Sequence, residues 1–178
     1  LRQLKVSETE KERFVTYYFN GLRENAFSGE DWKIIPSQKV ATYDLKPEMS
    51  TPGITQTILD ALNSKTYNAI IANFAAPDMV AHTGNFEATI KACELVDQSV
   101  GQIVKLTDAL GGVTLITADH GNAEELINLE TNQVDTEHSA FKVPFIIISK
   151  HFAGQSTKLP KGVLADVAPT MLQLLGIN

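Results

Sequence analysis

Two short segments bring a carboxylate and an imidazole close together along the chain. Thr117-Ala118-Asp119-His120-Gly121-Asn122 sets an Asp beside a His, and Pro77-Asp78-Met79-Val80-Ala81-His82 sets them four apart. A spacing of four turns both side chains the same way if the intervening turn is helical, so an oxygen and a ring nitrogen can share one cation. Thr136-Glu137-His138-Ser139 adds another imidazole. A lone Asp-His pair reads more simply as a capping Asp and a surface His in a turn. Three such clusters alter that reading, because buried charges need partners or a metal. His151 stands apart, in a polar stretch without an acidic neighbour, and is expected to be solvated.

Asp78, His82, Asp119, His120 and His138 make a mixed oxygen and nitrogen donor set. Such donors suit Mn2+ or Zn2+ rather than Ca2+ or an iron–sulfur cluster. Five ligands exceed the needs of one catalytic zinc and fall short of those of two ions. Two carboxylates against two divalent ions leave a site charge of about +2, which attracts a phosphate dianion. Paired metals also clamp in-line phosphoryl displacement, and their ~3.5–4 Å spacing requires the two donor groups to lie within about 8 Å of each other. Ser139, beside a candidate ligand, reads as a hydrogen-bond partner.

The elements around these clusters alternate. Val113-Thr114-Leu115-Ile116 is short, apolar and β-branched, and reads as a buried strand of a parallel sheet ending at Asp119-His120. Residues 67–74 form a similar run ahead of Asp78, and residues 143–148 another after His138. In open α/β sheets, ligands bind at the carboxyl ends of strands. His138 precedes its strand, so either that strand is antiparallel or the polar excursion over residues 124–142 folds back over the sheet edge. Phe14-Val15-Thr16-Tyr17-Tyr18-Phe19 is expected as a further strand, and Lys33-Ile34-Ile35 as a short one ended by Pro36.

Helices fill the gaps. Ser50 is expected to cap a helix with Pro52 in its first turn and Ile54, Ile58, Leu59 and Leu62 on one face. A long helix is expected over residues 86–110, with Phe86, Ile90, Cys93, Val96, Val100, Ile103 and Val104 at helical spacing and Gly111-Gly112 ending it. Residues 164–175 form a last helix closed by Gly176. Strand and helix in alternation indicate one domain, an α/β sandwich with a mostly parallel sheet flanked by helices.

At 178 residues the chain has the length of one domain with a sizeable core. Its net charge of −6, without a Lys/Arg cluster, disfavours nucleic acid as a partner. No apolar run spans a bilayer, and no membrane association is expected. The single cysteine, Cys93, excludes an internal disulfide framework, is expected to fill a small core position, and is consistent with the cytoplasm. The chain starts at Leu1 rather than Met and reads as a fragment.

The motifs resemble the alkaline-phosphatase superfamily and, more narrowly, the phosphatase domain of cofactor-independent phosphoglycerate mutases. Asn73-Phe74-Ala75-Ala76-Pro77-Asp78-Met79-Val80-Ala81-His82-Thr83-Gly84 and Thr117-Ala118-Asp119-His120-Gly121-Asn122-Ala123-Glu124 carry the likeness. Glu8-Thr9-Glu10-Lys11, the segment Val40-Ala41-Thr42-Tyr43-Asp44-Leu45-Lys46-Pro47-Glu48-Met49, and Ala165-Asp166-Val167-Ala168-Pro169-Thr170-Met171 extend it over nearly the whole chain. The resemblance implies an alkaline-phosphatase-like fold and a glycolytic isomerase of the cytoplasm, expected to be monomeric. It would interconvert 3-phosphoglycerate and 2-phosphoglycerate through a phosphoserine with two divalent ions, usually Mn2+, with Zn2+, Co2+ or Mg2+ as alternatives. By motif match Asp78, His82 and His138 hold one ion and Asp119 and His120 help hold the other. Lys11 matches a lysine that neutralises the transferring phosphoryl group. Without the resemblance, Lys11 reads as a solvated charge in an acidic segment. The family's nucleophilic serine, a further metal-binding aspartate and the phosphotransferase domain that grips the glycerate have no counterpart in residues 1–178, so the chain alone is expected to be inactive. Ala81 and Leu22 stand where the family commonly has glycine. The alternatives are another superfamily phosphomutase, a metal-dependent phosphatase or sulfatase-like hydrolase, and a metal-binding domain without activity. The Glu8–Lys11 and Lys39–Asp44 segments favour the mutase, since relatives share the Asp-His core but not those.

Overall fold

The strand that organises the first half of the chain is not among those expected. In the computed structural model, which describes residues 1–128, 130–155 and 158–177, β1 (Gln3–Glu8) lies at the centre of a three-stranded parallel sheet. It pairs with β2 (Glu30–Ile35) on one edge and β3 (Ala69–Ala72) on the other. Its sequence, Gln-Leu-Lys-Val-Ser-Glu, hides the strand because charged residues alternate with apolar ones, yet Leu4 to Glu8 are all buried. Leu4 and Val6 face α2 (Thr51–Ser64) and pack with Ile54, Ile58 and Ala61. By strand alternation Lys5 takes the opposite face, where its ammonium sits 3.3 Å from the centroid of the Phe19 ring.

The strand expected over residues 14–19 is instead α1 (Glu12–Val15) followed by turns. The Thr16 amide and hydroxyl both return to the Glu12 carbonyl, at 3.1 and 2.8 Å, closing a helical turn. With β2 and β3 already on both edges of β1, this segment has no place beside the sheet's central strand. β2 ends before Pro36, as the missing proline N–H requires. Ser50 stands at the start of α2 without capping it, because its buried hydroxyl donates to the Pro36 carbonyl at 2.8 Å.

After β3, α3 (Ala76–Ala81) supplies the helical turn between Asp78 and His82, and α4 (Phe86–Ala109) follows, capped by the Asn85 side chain on the Ala88 amide. α4 meets α3 through small residues, Ala88 and Ala92 against Ala76 and Val80. That close approach turns Phe86, Ile90 and Cys93 outward, so Cys93 is exposed rather than a core residue. Gly111, at φ +78°, ends the helix.

β4 (Thr114–Thr117) corrects a further expectation. It pairs with β7 (Phe145–Ile148) in antiparallel register, Thr117 opposite Phe145, and is half-buried rather than a buried parallel strand. The antiparallel arrangement sets the chain entering β7 beside the chain leaving β4. Between them lies a two-stranded hairpin, β5 (Ile127–Asn128) with β6 (Gln133–Val134). A 3-10 turn (Leu164–Asp166) leads into α5 (Val167–Leu174), which buries none of its residues. Among the described residues, no helix is long and apolar enough to cross a membrane. The architecture is mixed α/β, a parallel sheet flanked by helices with an antiparallel pair beside it.

Candidate metal centre

Asp78 and His82 owe their common direction to α3. The His82 amide donates to the Asp78 carbonyl at 3.1 Å, so the helical turn places the two side chains on one face. His82 Nε2 lies 3.2 Å from Asp78 Oδ1, and His138 Nε2 lies 3.3 Å from the same oxygen and 3.1 Å from His82 Nε2. These three atoms form a near-equilateral triangle, and among the described residues this is the Asp/His cluster with metal-binding geometry. Donors about 2.0–2.2 Å from one ion stand roughly 3.0–3.5 Å apart along the edge of an octahedron or tetrahedron, so the triangle has the size of one face of a coordination shell. His82 Nδ1 lies 2.7 Å from the Thr136 carbonyl, which can only accept. That contact puts the ring proton on Nδ1 and leaves the Nε2 lone pair for a metal. The donor set therefore fits a divalent ion.

His138 reaches this triangle because its neighbour is pinned to the loop after β4. The Ser139 amide donates to the Gly121 carbonyl at 3.0 Å, and the Ser139 hydroxyl donates to Glu124. Glu124 also accepts from the Asn122 amide at 2.9 Å. Partial burial would raise the Glu124 pKa, but the Ser139 hydroxyl, nearby backbone amides and His120 outweigh it and hold the carboxyl below its usual range. Ser139 thus serves as a hydrogen-bond partner, as its position beside His138 suggested.

Asp119 and His120 extend the cluster. His120 Nε2 lies 3.4 Å from Asp119 Oδ2, and its Nδ1 faces the Gly121 carbonyl at 3.3 Å, which again leaves Nε2 as the free donor. The His120 ring stacks on that of His138 with centroids 3.7 Å apart. Through that stack His120 adjoins the triangle, and Asp119 meets His120. His151 is exposed in the 3-10 turn Lys150–Phe152 and is not in the donor cluster.

Lys11 is not a solvated charge. Its ammonium lies 2.7 Å from Asp78 Oδ2, in a contact of charge rather than of hydrogen-bond direction, with only 12% of the side chain exposed. The Phe14 ring flanks it at 4.8 Å. Burial would raise the Asp78 pKa, but Lys11, the Asn122 amide and His82 outweigh that and hold the carboxyl ionised below the usual carboxylate range.

Sequence reasoning missed two residues here. Asn122 is buried, and its Nδ2 donates to Asp78 Oδ1 at 2.7 Å, tying the loop after β4 to α3. Gly84, at φ +71°, lets the hairpin approach; a Cβ there would meet Val134 Cγ1 at 2.6 Å, two residues before the Thr136 carbonyl that orients His82. Both stand inside quoted motifs, but no local pattern reveals their partners more than forty positions away.

Asp and His donors gathered from the segments after β3 and β4 and before β7, with the spacing of one coordination face, define a metal-binding α/β fold. The chain belongs to the metalloenzyme superfamily, whose family model matches residues 1–178. It is 49% identical over 176 residues to the 2,3-bisphosphoglycerate-independent phosphoglycerate mutase of Idiomarina loihiensis, covering 99% of this chain and 34% of that protein. To the enzyme of the same name from Pseudomonas putida it is 51% identical over 177 residues, covering 99% and 34%. The chain thus spans about a third of the length of these curated relatives. A crystal structure of Leishmania mexicana phosphoglycerate mutase at low cobalt concentration superposes with a TM-score of 0.90 at 34% identity, over 100% of this chain and 35% of that one. The expected alkaline-phosphatase-like α/β fold agrees with that match.

Proposed function

We propose that this chain is the metal-binding part of a cofactor-independent phosphoglycerate mutase, an isomerase interconverting 3-phosphoglycerate and 2-phosphoglycerate. The observation that carries this reading is the donor triangle of Asp78, His82 and His138 with the Lys11 ammonium against it. It is supported by mutases about half identical in sequence that align with nearly all of this chain. In this reading Asp78, His82 and His138 hold one divalent ion, and Asp119 and His120 contribute to a second. Mn2+ is the proposed metal, with Co2+, Zn2+ or Mg2+ as substitutes. Bound ions would supply charge stabilisation to phosphoryl oxygens and lower the pKa of an attacking hydroxyl.

The chain's own residues do the rest. Thr136 and Gly121 hold the His82 and His120 rings with Nε2 free, and Asn122 fixes Asp78. The Lys11 ammonium, fixed beside Asp78, would offer charge to the non-bridging oxygens of the phosphoryl group as it passes from a glycerate oxygen to the nucleophilic serine and back to the other glycerate oxygen, a form of electrostatic stabilisation. The nucleophilic serine, a further aspartate ligand and the grip on the glycerate are proposed to come from the parts of the longer protein that residues 1–178 do not span. Residues 1–178 alone are then a single domain without mutase activity. A monomeric glycolytic enzyme of the cytoplasm is the corresponding setting.

The test uses the full-length protein. With Mn2+ it should interconvert the two phosphoglycerates, chelation should abolish the activity and Mn2+ restore it, and His82→Ala should remove at least ~99% of it, in line with the large losses on deleting metal ligands. Steady release of inorganic phosphate without isomerisation would replace the mutase reading with a phosphatase. Full activity of His82→Ala would refute the metal assignment.

A further inference from the structure

The segment 40–49 was singled out in the sequence, yet it supplies no donor to the metal centre. It is instead joined to the other distinguishing segment, Glu8–Lys11. The 3-10 turn Thr9–Lys11 that carries Lys11 has no side-chain cap and buries none of its residues. It is held from outside. The Ser37 hydroxyl donates to Glu8 Oε2 at 2.8 Å and accepts from the Glu10 amide at 3.2 Å, so one side chain grips both flanks of Thr9. The Tyr43 hydroxyl donates to Glu10 Oε1 at 2.7 Å. Glu8 is fully buried at the end of β1, and its other oxygen faces the Ser50 amide at 3.4 Å. Tyr43 itself packs against the core formed by Met49, Ala76, Val80 and Ala92, so the brace reaches α3, which carries Asp78.

We infer that Ser37 and Tyr43 are positioning residues that lock the Thr9–Lys11 turn and so fix the Lys11 ammonium over Asp78. The physical need is plain. A lysine side chain is long and rich in rotamers, and a charge meant to meet a phosphoryl group acts only if its base does not wander. The hydrogen bonds of Ser37 and Tyr43 go to Glu8 and Glu10 and not to the donors of the metal triangle. The inference rests on the proposed role of Lys11 for its catalytic consequence, but not for the positioning itself.

The experiment uses the full-length protein and the variants Ser37→Ala and Tyr43→Phe, the latter keeping the ring and losing only the hydroxyl. In metal-free protein, acetylation of each lysine by a small activated ester is followed by mass spectrometry. Lys11, paired with Asp78, should react slowly in the parent and at least threefold faster in both variants, while Lys39 and Lys65 keep their rates. Tyr43→Phe should also lower kcat about tenfold at unchanged KM, and should add nothing in a Lys11→Ala background. Unchanged Lys11 labelling in both variants overturns the inference. So does a loss on Tyr43→Phe that multiplies with Lys11→Ala, because an effect independent of Lys11 is structural. If Lys11→Ala itself keeps parental kcat, the proposed role of Lys11 fails, and the labelling alone decides whether the brace positions it.

Discussion

Replacing Lys5 with methionine should stabilise the protein at neutral pH, although it removes a charge from the central strand. Lys5 is fully buried and its ammonium has no hydrogen-bond partner among the described residues. Burial pulls its pKa down from 10.5 to about 8, against the opposing pull of Glu30. At about 1.4 kcal/mol per pKa unit, that lowering corresponds to roughly 3 kcal/mol of destabilisation while the amine is charged. The Phe19 ring beneath the ammonium returns up to ~2 kcal/mol as a desolvated cation–π contact. Glu30 is not orphaned by the change, since the Asn20 amide at 2.8 Å, the Phe27 backbone amide at 3.1 Å and the Trp32 indole all donate to it. Methionine keeps the length and adds a sulfur–aromatic contact. The expected gain is on the order of 1–2 kcal/mol at pH 7, or a Tm rise of about 3–6 °C.

The pH dependence gives the sharper result. Below about pH 8 Lys5 is charged in both folded and unfolded states, and the folded state carries the full penalty. Between that value and 10.5 the native amine has released its proton while the unfolded one keeps it, so parental stability rises with pH. The advantage of Lys5→Met should therefore shrink from pH 7 to pH 10. Thermal and urea unfolding of both proteins at those two pH values measure it. A methionine variant less stable at pH 7, or a difference that does not change with pH, would refute the reasoning.

Two further outcomes follow from other sites. Divalent metal should raise the Tm by mass action, by about 2.7 kcal/mol of stability at 100 times the dissociation constant, with the Asp78/His82/His138 site filling before the Asp119/His120 pair. Titration of Mn2+ into chelator-stripped protein checks this, and His138→Ala should lose the first transition. Leu22 sits at φ +67° with its side chain 63% exposed, so Leu22→Gly relieves about 1–2 kcal/mol of Cβ strain. It returns about 0.4–1 kcal/mol to unfolded-chain entropy, for a net gain of roughly 0.5–1 kcal/mol by urea denaturation, and a loss would show that Leu22 is held by packing.

What the sequence determined by itself was mainly local. The spacing of Asp78 and His82 turned out to be a helical turn, the runs of β-branched residues became β3, β4 and β7, and glycine and proline marked the ends of α4 and β2. Motif likeness also indicated the metalloenzyme fold. Tertiary structure decided everything that depends on which segments meet. Lys5 and Glu8 disguised β1 because alternation read as polarity, and only two flanking strands and a helix make such a segment a core strand. The aromatic run at residues 14–19 has strand propensity, but the Glu12 carbonyl drew it into a turn. Cys93 and Ile90 looked like a core stripe, until the small residues of α4 proved to be the closer fit against α3. The direction of β7 could not be read from its composition, since parallel and antiparallel strands present the same side chains. That direction brings His138 back toward Asp78 and His82, the Ser139 contacts to Gly121 and Glu124 hold it there, and Asn122 ties the same loop to Asp78, all between segments distant in the chain. Local preference acts through neighbours a few residues apart, whereas a metal site needs donors that only the folded chain brings together.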